Sequence, residues 1–247
     1  MQDIINADRL PPEVEKAYLP YLKKLLEFYP KRIVSVFVYG SATGVNYISG
    51  VSDITSVCVF EQLSWSDVQN ALAIVRKKRG SKIVVPLFLT KEYIRSSLDV
   101  FPIEFLDMKE NHVLLYGEDV LSLLEIKGQY LRLFCEQELK GRFIRIRQAY
   151  LEIGLQHNEL ANLLRQSLNS LMPIFRNLLR LRKKRAPIDK IEIIVELCRE
   201  FSLDEKDFMD IYRHLSGDQK IPPRELAVSL SEYLEEIEKL IFAVDRL

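Results

Sequence analysis

The apolar period of this chain changes once, near residue 120, and that change limits what it can fold into. Before it, short runs rich in Val, Ile and Phe alternate with helical patterns. After it, the spacing is helical to the end. Strand-sized runs between helices require a sheet covered by helices, whereas an uninterrupted helical period requires a bundle. The reading is therefore α+β followed by all-α, with a boundary between residues 1–120 and 121–247.

In the first part, residues 12–28 read as a helix. Pro12 suits its first position, and Val14, Ala17, Tyr18, Tyr21, Leu22, Leu25 and Leu26 share a face. Strands are expected at 33–39, 54–60 and 82–89, and a fourth at 103–108. Helices are expected at 64–79, stopped by Gly80, and at 91–98. In the second part, helices are expected at 122–153, at 158–184 with a kink at Pro173, and at 188–201, 204–215 and 224–246. Ser202 to Glu205 has capping-box spacing.

Composition enters mainly by exclusion. The 35 basic and 35 acidic residues balance. They balance within each part too, 14 against 15 up to residue 120 and 21 against 20 after it. That argues against a nucleic-acid partner, which needs an excess of cations. The basic runs 76–79 and 176–185 each end a predicted helix, where cations complement the helix dipole. No apolar run is long enough to span a membrane. Cys58, Cys135 and Cys198 each lie in apolar surroundings and read as buried free thiols. With no signal-peptide layout at the N-terminus, the cytoplasm is the default expectation.

One segment carries chemistry. The strand Val36–Tyr39 delivers Gly40-Ser41-Ala42-Thr43-Gly44, and Ser52-Asp53-Ile54-Thr55 then opens the strand Ser56–Phe60. This resembles the signature of the polymerase-beta-type nucleotidyltransferases, a Gly-Ser pair followed about a dozen residues on by Asp-x-Asp or Asp-x-Glu. The resemblance covers residues 12–120 by layout and motif. It extends to the helical part only by analogy with two-domain members such as the aminoglycoside nucleotidyltransferases. It implies a nucleotidyltransferase-like mixed sheet with flanking helices. It also implies phosphate binding at Gly40 and Ser41, a metal ligand at Asp53, and Mg²⁺ with a nucleoside triphosphate.

The second metal carboxylate of the motif is Thr55 here. Two divalent ions held a few ångströms apart need several carboxylates, and a neutral hydroxyl cannot offset their repulsion. The strand where the family keeps its third carboxylate, 83–89, has no acid. Glu104 is the alternative ligand or base; read without the resemblance, it is a partly buried, paired glutamate at a strand start. The expectation is a catalytically degenerate member that keeps a nucleotide site. Two other readings stay open. One is an active Mg²⁺-dependent enzyme moving a nucleoside monophosphate to a hydroxyl. The other is an interaction protein whose C-terminal helices dock a protein partner or a second copy, using the stripe Leu226, Leu230, Tyr233, Leu234, Ile237, Ile241 and Val244. His112, His157 and His214 show no metal spacing, and no Arg-x4–6-His ribonuclease pattern is present.

Overall fold

The structure is a computed structural model that describes residues 4–44, 47–75, 82–182 and 186–247. The chain divides into two compact units, Met1–Ile126 and Lys127–Leu247.

The first unit begins with helix α1 (Pro12–Phe28). Pro12 starts it with a preset φ, and Glu13 and Glu15 complement its N-terminal dipole. Val14, Tyr18, Tyr21, Leu22, Leu25 and Leu26 form its buried face, whereas Ala17 is exposed. Strands β1 (Ile33–Tyr39) and β2 (Thr55–Phe60) are antiparallel neighbours. Val36, Val38, Cys58 and Phe60 face α1 and helix α2 (Trp65–Val75). Phe37, Val57 and Val59 face the opposite side, which carries helices α3 (Lys91–Ser96) and α4 (Pro102–Glu110). A sheet covered on both faces has nearly continuous apolar strands, as β1 does.

Helix α2 is started by a reciprocal cap. The Ser64 amide donates to the Asp67 carboxylate at 2.8 Å, and the Asp67 amide donates to Ser64 Oγ at 3.2 Å. Arg32 pairs with the same carboxylate, and the Tyr29 hydroxyl donates to the Asp67 carbonyl at 2.7 Å. The end of α1 is thereby tied to the start of α2. The remainder of the predicted 64–79 helix, with its basic run and Gly80, lies outside the described residues.

The sheet order is β3-β2-β1-β4, with β3 (Leu87–Thr90) parallel to β2 and β4 (His112–Gly117) antiparallel to β1. Two expectations need correction here. The strand predicted at 82–89 is interrupted: Ile83 bridges Ile54, but regular pairing resumes only at Val57 with Leu87. The register slips by one residue between these points, and Pro86, which has no N–H to donate, lies in the slipped segment. The strand predicted at 103–108 is helix α4. Pro102 opens it, and Pro102, Phe105 and Met108 are buried at a helical interval of three. The fourth strand comes later, as β4, where Val113 and Leu115 are buried at the strand interval of two.

The second unit is entirely helical: α5 (Gly128–Ile153), α6 (His157–Arg182), α7 (Lys190–Phe201), α8 (Glu205–Ser216) and α9 (Leu226–Asp245). Helix α6 packs against the other four and continues through Pro173 without a break. Its Ser167 donates to the Tyr233 hydroxyl of α9 at 3.0 Å, inside a core built on Phe175, Phe208 and Tyr233. Asp204, not Ser202, caps α8, accepting from the Lys206 amide at 2.9 Å. Ser202 ends α7 in a left-handed conformation, with φ of 55°, and cannot serve as a cap for the next helix as well. The α9 stripe is core of this chain itself. Leu226, Leu230, Tyr233, Ile237, Ile241 and Val244 are buried and Leu234 is half-buried. It is not a free docking face.

All three cysteines are buried free thiols, and burial pushes Cys135 and Cys198 up to about 12. Among the described residues no helix is long and apolar enough to cross a membrane.

Candidate functional site

Strand β1 ends at Tyr39, and the chain then turns sharply. Gly40 has φ of +70°, a left-handed conformation that a residue with a side chain adopts only under strain. Residues Gly40–Thr43 form a single 3-10 turn, ended by Gly44 at φ of 105°. The Thr43 hydroxyl donates to the Gly40 carbonyl at 2.8 Å, and the Gly44 amide donates to the Ser41 carbonyl at 3.1 Å. The Gly40 amide donates to the Asn111 carbonyl at 3.0 Å, fastening the turn to the corner between α4 and β4.

The register of β1 and β2 decides what lies near this turn. Tyr39 pairs with Thr55 at the end of the antiparallel ladder. Gly40 and Ser41 leave β1 at the end of the sheet where Asp53 enters β2. The two halves of the motif therefore meet at one sheet end. Ser41 is half-buried and Asp53 is exposed.

Thr55, which the resemblance aligns with the second carboxylate, has its hydroxyl already engaged. Thr55 Oγ1 donates to the Tyr39 carbonyl at 2.8 Å, and an added Cβ on Gly40 would lie 3.6 Å from the same oxygen. The hydroxyl thus tethers the first residue of β2 to the last residue before the turn. Burial raises the Tyr39 phenol above its ordinary value, so its ring takes no part as an anion near neutral pH.

The neighbouring segment brings no carboxylate. Ile54 exchanges main-chain bonds with Lys82 and Val84, at 2.8 and 3.0 Å. Beside Asp53 and Thr55 the next segment thus carries a lysine and a valine, and the Lys82 ammonium donates to the Val51 carbonyl at 3.3 Å. Glu104 was expected at a strand start; it is exposed in the first turn of α4, where an acid complements the helix dipole. Among the described residues no group of three or more His, Cys, Asp or Glu side chains could hold a metal ion. The residues present do not fit a two-ion set.

His112 is structural. Its ring meets Phe37 edge-on at 5.6 Å. Nδ1 lies 3.0 and 3.1 Å from the Met108 and Lys109 carbonyls at the end of α4, and Nε2 lies 3.1 Å from Asp119. Ser122 donates to Asp119 through its amide and its hydroxyl. Burial pushes the Asp119 carboxyl upward, but the Ser122 bonds and His112 outweigh it and hold it below the ordinary carboxylate value. His214 likewise has a local role, accepting from the Ile221 amide at 3.0 Å.

Two concavities lie at the opposite end of the sheet, one of about 610 Å³ and one of about 310 Å³, both beside Lys91 and Arg95. Lys91 bridges Glu61 and Glu118 there, at 3.3 and 3.0 Å. Neither concavity includes Gly40, Ser41, Asp53 or Thr55.

No family description matches the sequence, and no curated protein matches it either. Among solved structures, the chain is similar to spectinomycin adenyltransferase AAD(9) from Enterococcus faecialis, which was crystallised with ATP and spectinomycin. The two share 15% identity at a TM-score of 0.49, over 93% of this chain and 99% of that one. The likeness is too loose to assign a residue or an activity to this chain.

Proposed function

We propose that the first unit is a nucleotidyltransferase-like module that binds a nucleoside triphosphate without transferring its nucleoside monophosphate. One observation carries this reading: the Tyr39–Thr55 register brings the Gly40-Ser41 turn and Asp53 to one sheet end, with the Thr55 hydroxyl bound to a carbonyl where a second carboxylate is required. Gly40 leaves room for a phosphate to approach the backbone, and the Ser41 hydroxyl supplies a donor. Asp53 is a single carboxylate. Mg²⁺ commonly reaches proteins with one or two carboxylates while nucleotide phosphates fill other positions. In this reading any Mg²⁺ arrives with the nucleotide. Transfer depends on electrostatic stabilisation of the moving phosphoryl group, and removing a bridging carboxylate costs orders of magnitude in rate.

The test is thermal stability against ATP, GTP, CTP and UTP, each with Mg²⁺ and with a chelator. A ligand at 100 times its Kd adds about 2.7 kcal/mol, and roughly 2–4 °C follows per kcal/mol for a chain of this size. At least one nucleotide should raise the midpoint by several degrees. Ser41→Ala combined with Asp53→Ala should abolish the rise. Labelled nucleotide should show no transfer to any hydroxyl acceptor offered. No shift with any nucleotide, or a shift that the double variant keeps, would sink the binding site; turnover would sink the degenerate reading.

A further inference from the structure

The outer face of the α5–α9 pair is built unlike an ordinary solvated surface. Lys140, Ile144 and Arg147 follow one another at four and three residues on α5, and Glu238, Phe242 and Asp245 do the same on α9. Residues so spaced share one helix face. The helices run antiparallel, because Lys140 pairs with Asp245 at 3.2 Å and Arg147 pairs with Glu238 at 3.2 Å. Ile144 and Phe242 therefore fall between two ion pairs. Both are open to solvent, 64% and 58% exposed, and Leu151 two turns further along α5 is 80% exposed. Isolated exposed apolar residues need no explanation, but a bracketed apolar pair on a packed helical seam does.

Within the two ion pairs that join the helices the charges are segregated, although Lys140 also pairs with the largely buried Glu136 of its own helix. The α5 side presents Lys140 and Arg147, and the α9 side presents Glu238 and Asp245. Such a face is complementary to itself. Turned over about a two-fold axis parallel to the helices, α5 of one copy lies along α9 of another. Lys140 then meets Asp245, Arg147 meets Glu238, and Ile144 meets Phe242, each twice. The contact is isologous and closes on itself.

The extent suits a weak contact. With Lys140 opposite Asp245 and Arg147 opposite Glu238, residues 140–153 of α5 run beside residues 232–245 of α9. At roughly 1.5 Å per residue that overlap is about 21 Å long and, for two packed helices, roughly 20 Å wide, or roughly 400 Å² per copy, the size of a weak, transient contact. We propose that this face binds a second copy of the chain, forming a weak homodimer through a four-helix layer of α5 and α9 from each copy.

Sedimentation equilibrium of the full chain tests this. The wild type should move from monomer toward dimer mass as concentration rises, and added salt should weaken the association because its rim is charged. Ile144→Glu and Phe242→Glu should each remain monomeric over the same range while keeping the wild-type melting midpoint, since both positions are exposed. If either variant loses stability, Ile144→Lys and Phe242→Lys replace it. The arrangement is read by cross-linking. Ile144→Cys mixed with Phe242→Cys should form a disulfide-linked dimer under mild oxidation, and neither variant alone should. A wild type that stays monomeric, a dimer indifferent to these substitutions, or efficient cross-linking of one variant with itself would each overturn the proposal.

Discussion

Replacing Thr55 with Asp puts a carboxylate at the position that the proposed reading assigns to the missing second metal ligand. In the wild type, Thr55 Oγ1 donates to the Tyr39 carbonyl at 2.8 Å. An aspartate there has no proton to donate near neutral pH. The carbonyl loses its partner and gains an anion beside it. An unmade bond to a partly buried acceptor costs about 1–3 kcal/mol. At roughly 4 °C per kcal/mol, a value between those for smaller and larger domains, the midpoint of the first unit should fall by roughly 4–12 °C in chelator. Asp53 and the new carboxylate would then lie two residues apart on one extended segment, facing the same way. Mg²⁺ with a triphosphate should recover much of the loss in the variant, because a cation between the two carboxylates relieves their repulsion. The wild type should respond far less to Mg²⁺ itself. Differential scanning fluorimetry across a Mg²⁺ titration, with Thr55→Val as the neutral control, reads both effects. If Thr55→Asp is as stable as wild type in chelator, the hydroxyl does not tether the two strands. If it is destabilised but indifferent to Mg²⁺, Asp53 and position 55 do not converge on a cation.

Gly117 ends β4 at φ of +79°, and a Cβ there would lie 1.8 Å from the Val34 carbonyl oxygen. Gly117→Ala should therefore cost more than about 4 kcal/mol in urea unfolding, against about 1 kcal/mol for Gly50→Ala, whose φ is also positive but whose Cβ meets nothing; a small loss at Gly117 would refute the clash. The Asp119 carboxyl is held below its ordinary value in the folded chain, so its stabilisation is present above the unfolded pKa and disappears as pH falls through the lower folded one. Amide exchange in residues 118–126 should accelerate in that acid window, and an unchanged acid limb in Asp119→Asn would show that the carboxylate does not hold the segment.

What could be read from the sequence follows from which forces are local. Helix α1 and strand β1 match their predicted limits because Pro12 and the face Val14 to Leu26 fix the helix, and the run Ile33 to Tyr39 fixes the strand. Residues 103–108 mislead because a short apolar run fits either period, and the buried spacing of Pro102, Phe105 and Met108 appears only once a sheet lies beneath it. The slip at Pro86 depends on pairing with β2, which no local pattern records. At the site, the arrival of Gly40-Ser41 and Asp53 at one sheet end is legible because strand, turn and strand are close in sequence. The bonds that shape it are not. Gly40 donates to the Asn111 carbonyl and Thr55 to the Tyr39 carbonyl, and backbone acceptors leave no trace in residue identity. The α9 stripe shows the converse: its amphipathic pattern is plain in sequence, but only packing assigns it to this chain's own core.

The corner at Asn111 and His112 is gripped from two sides. Its carbonyl holds the amide of Gly40, and its imidazole holds Asp119, two residues after β4 ends. Neither the turn at 40–43 nor the segment at 118–126 can detach without disturbing the same two residues. The two segments therefore belong to one cooperative opening unit, although nearly eighty residues separate them along the chain. A ligand that quiets the turn would lower the opening frequency of the distant segment with no change in its average position.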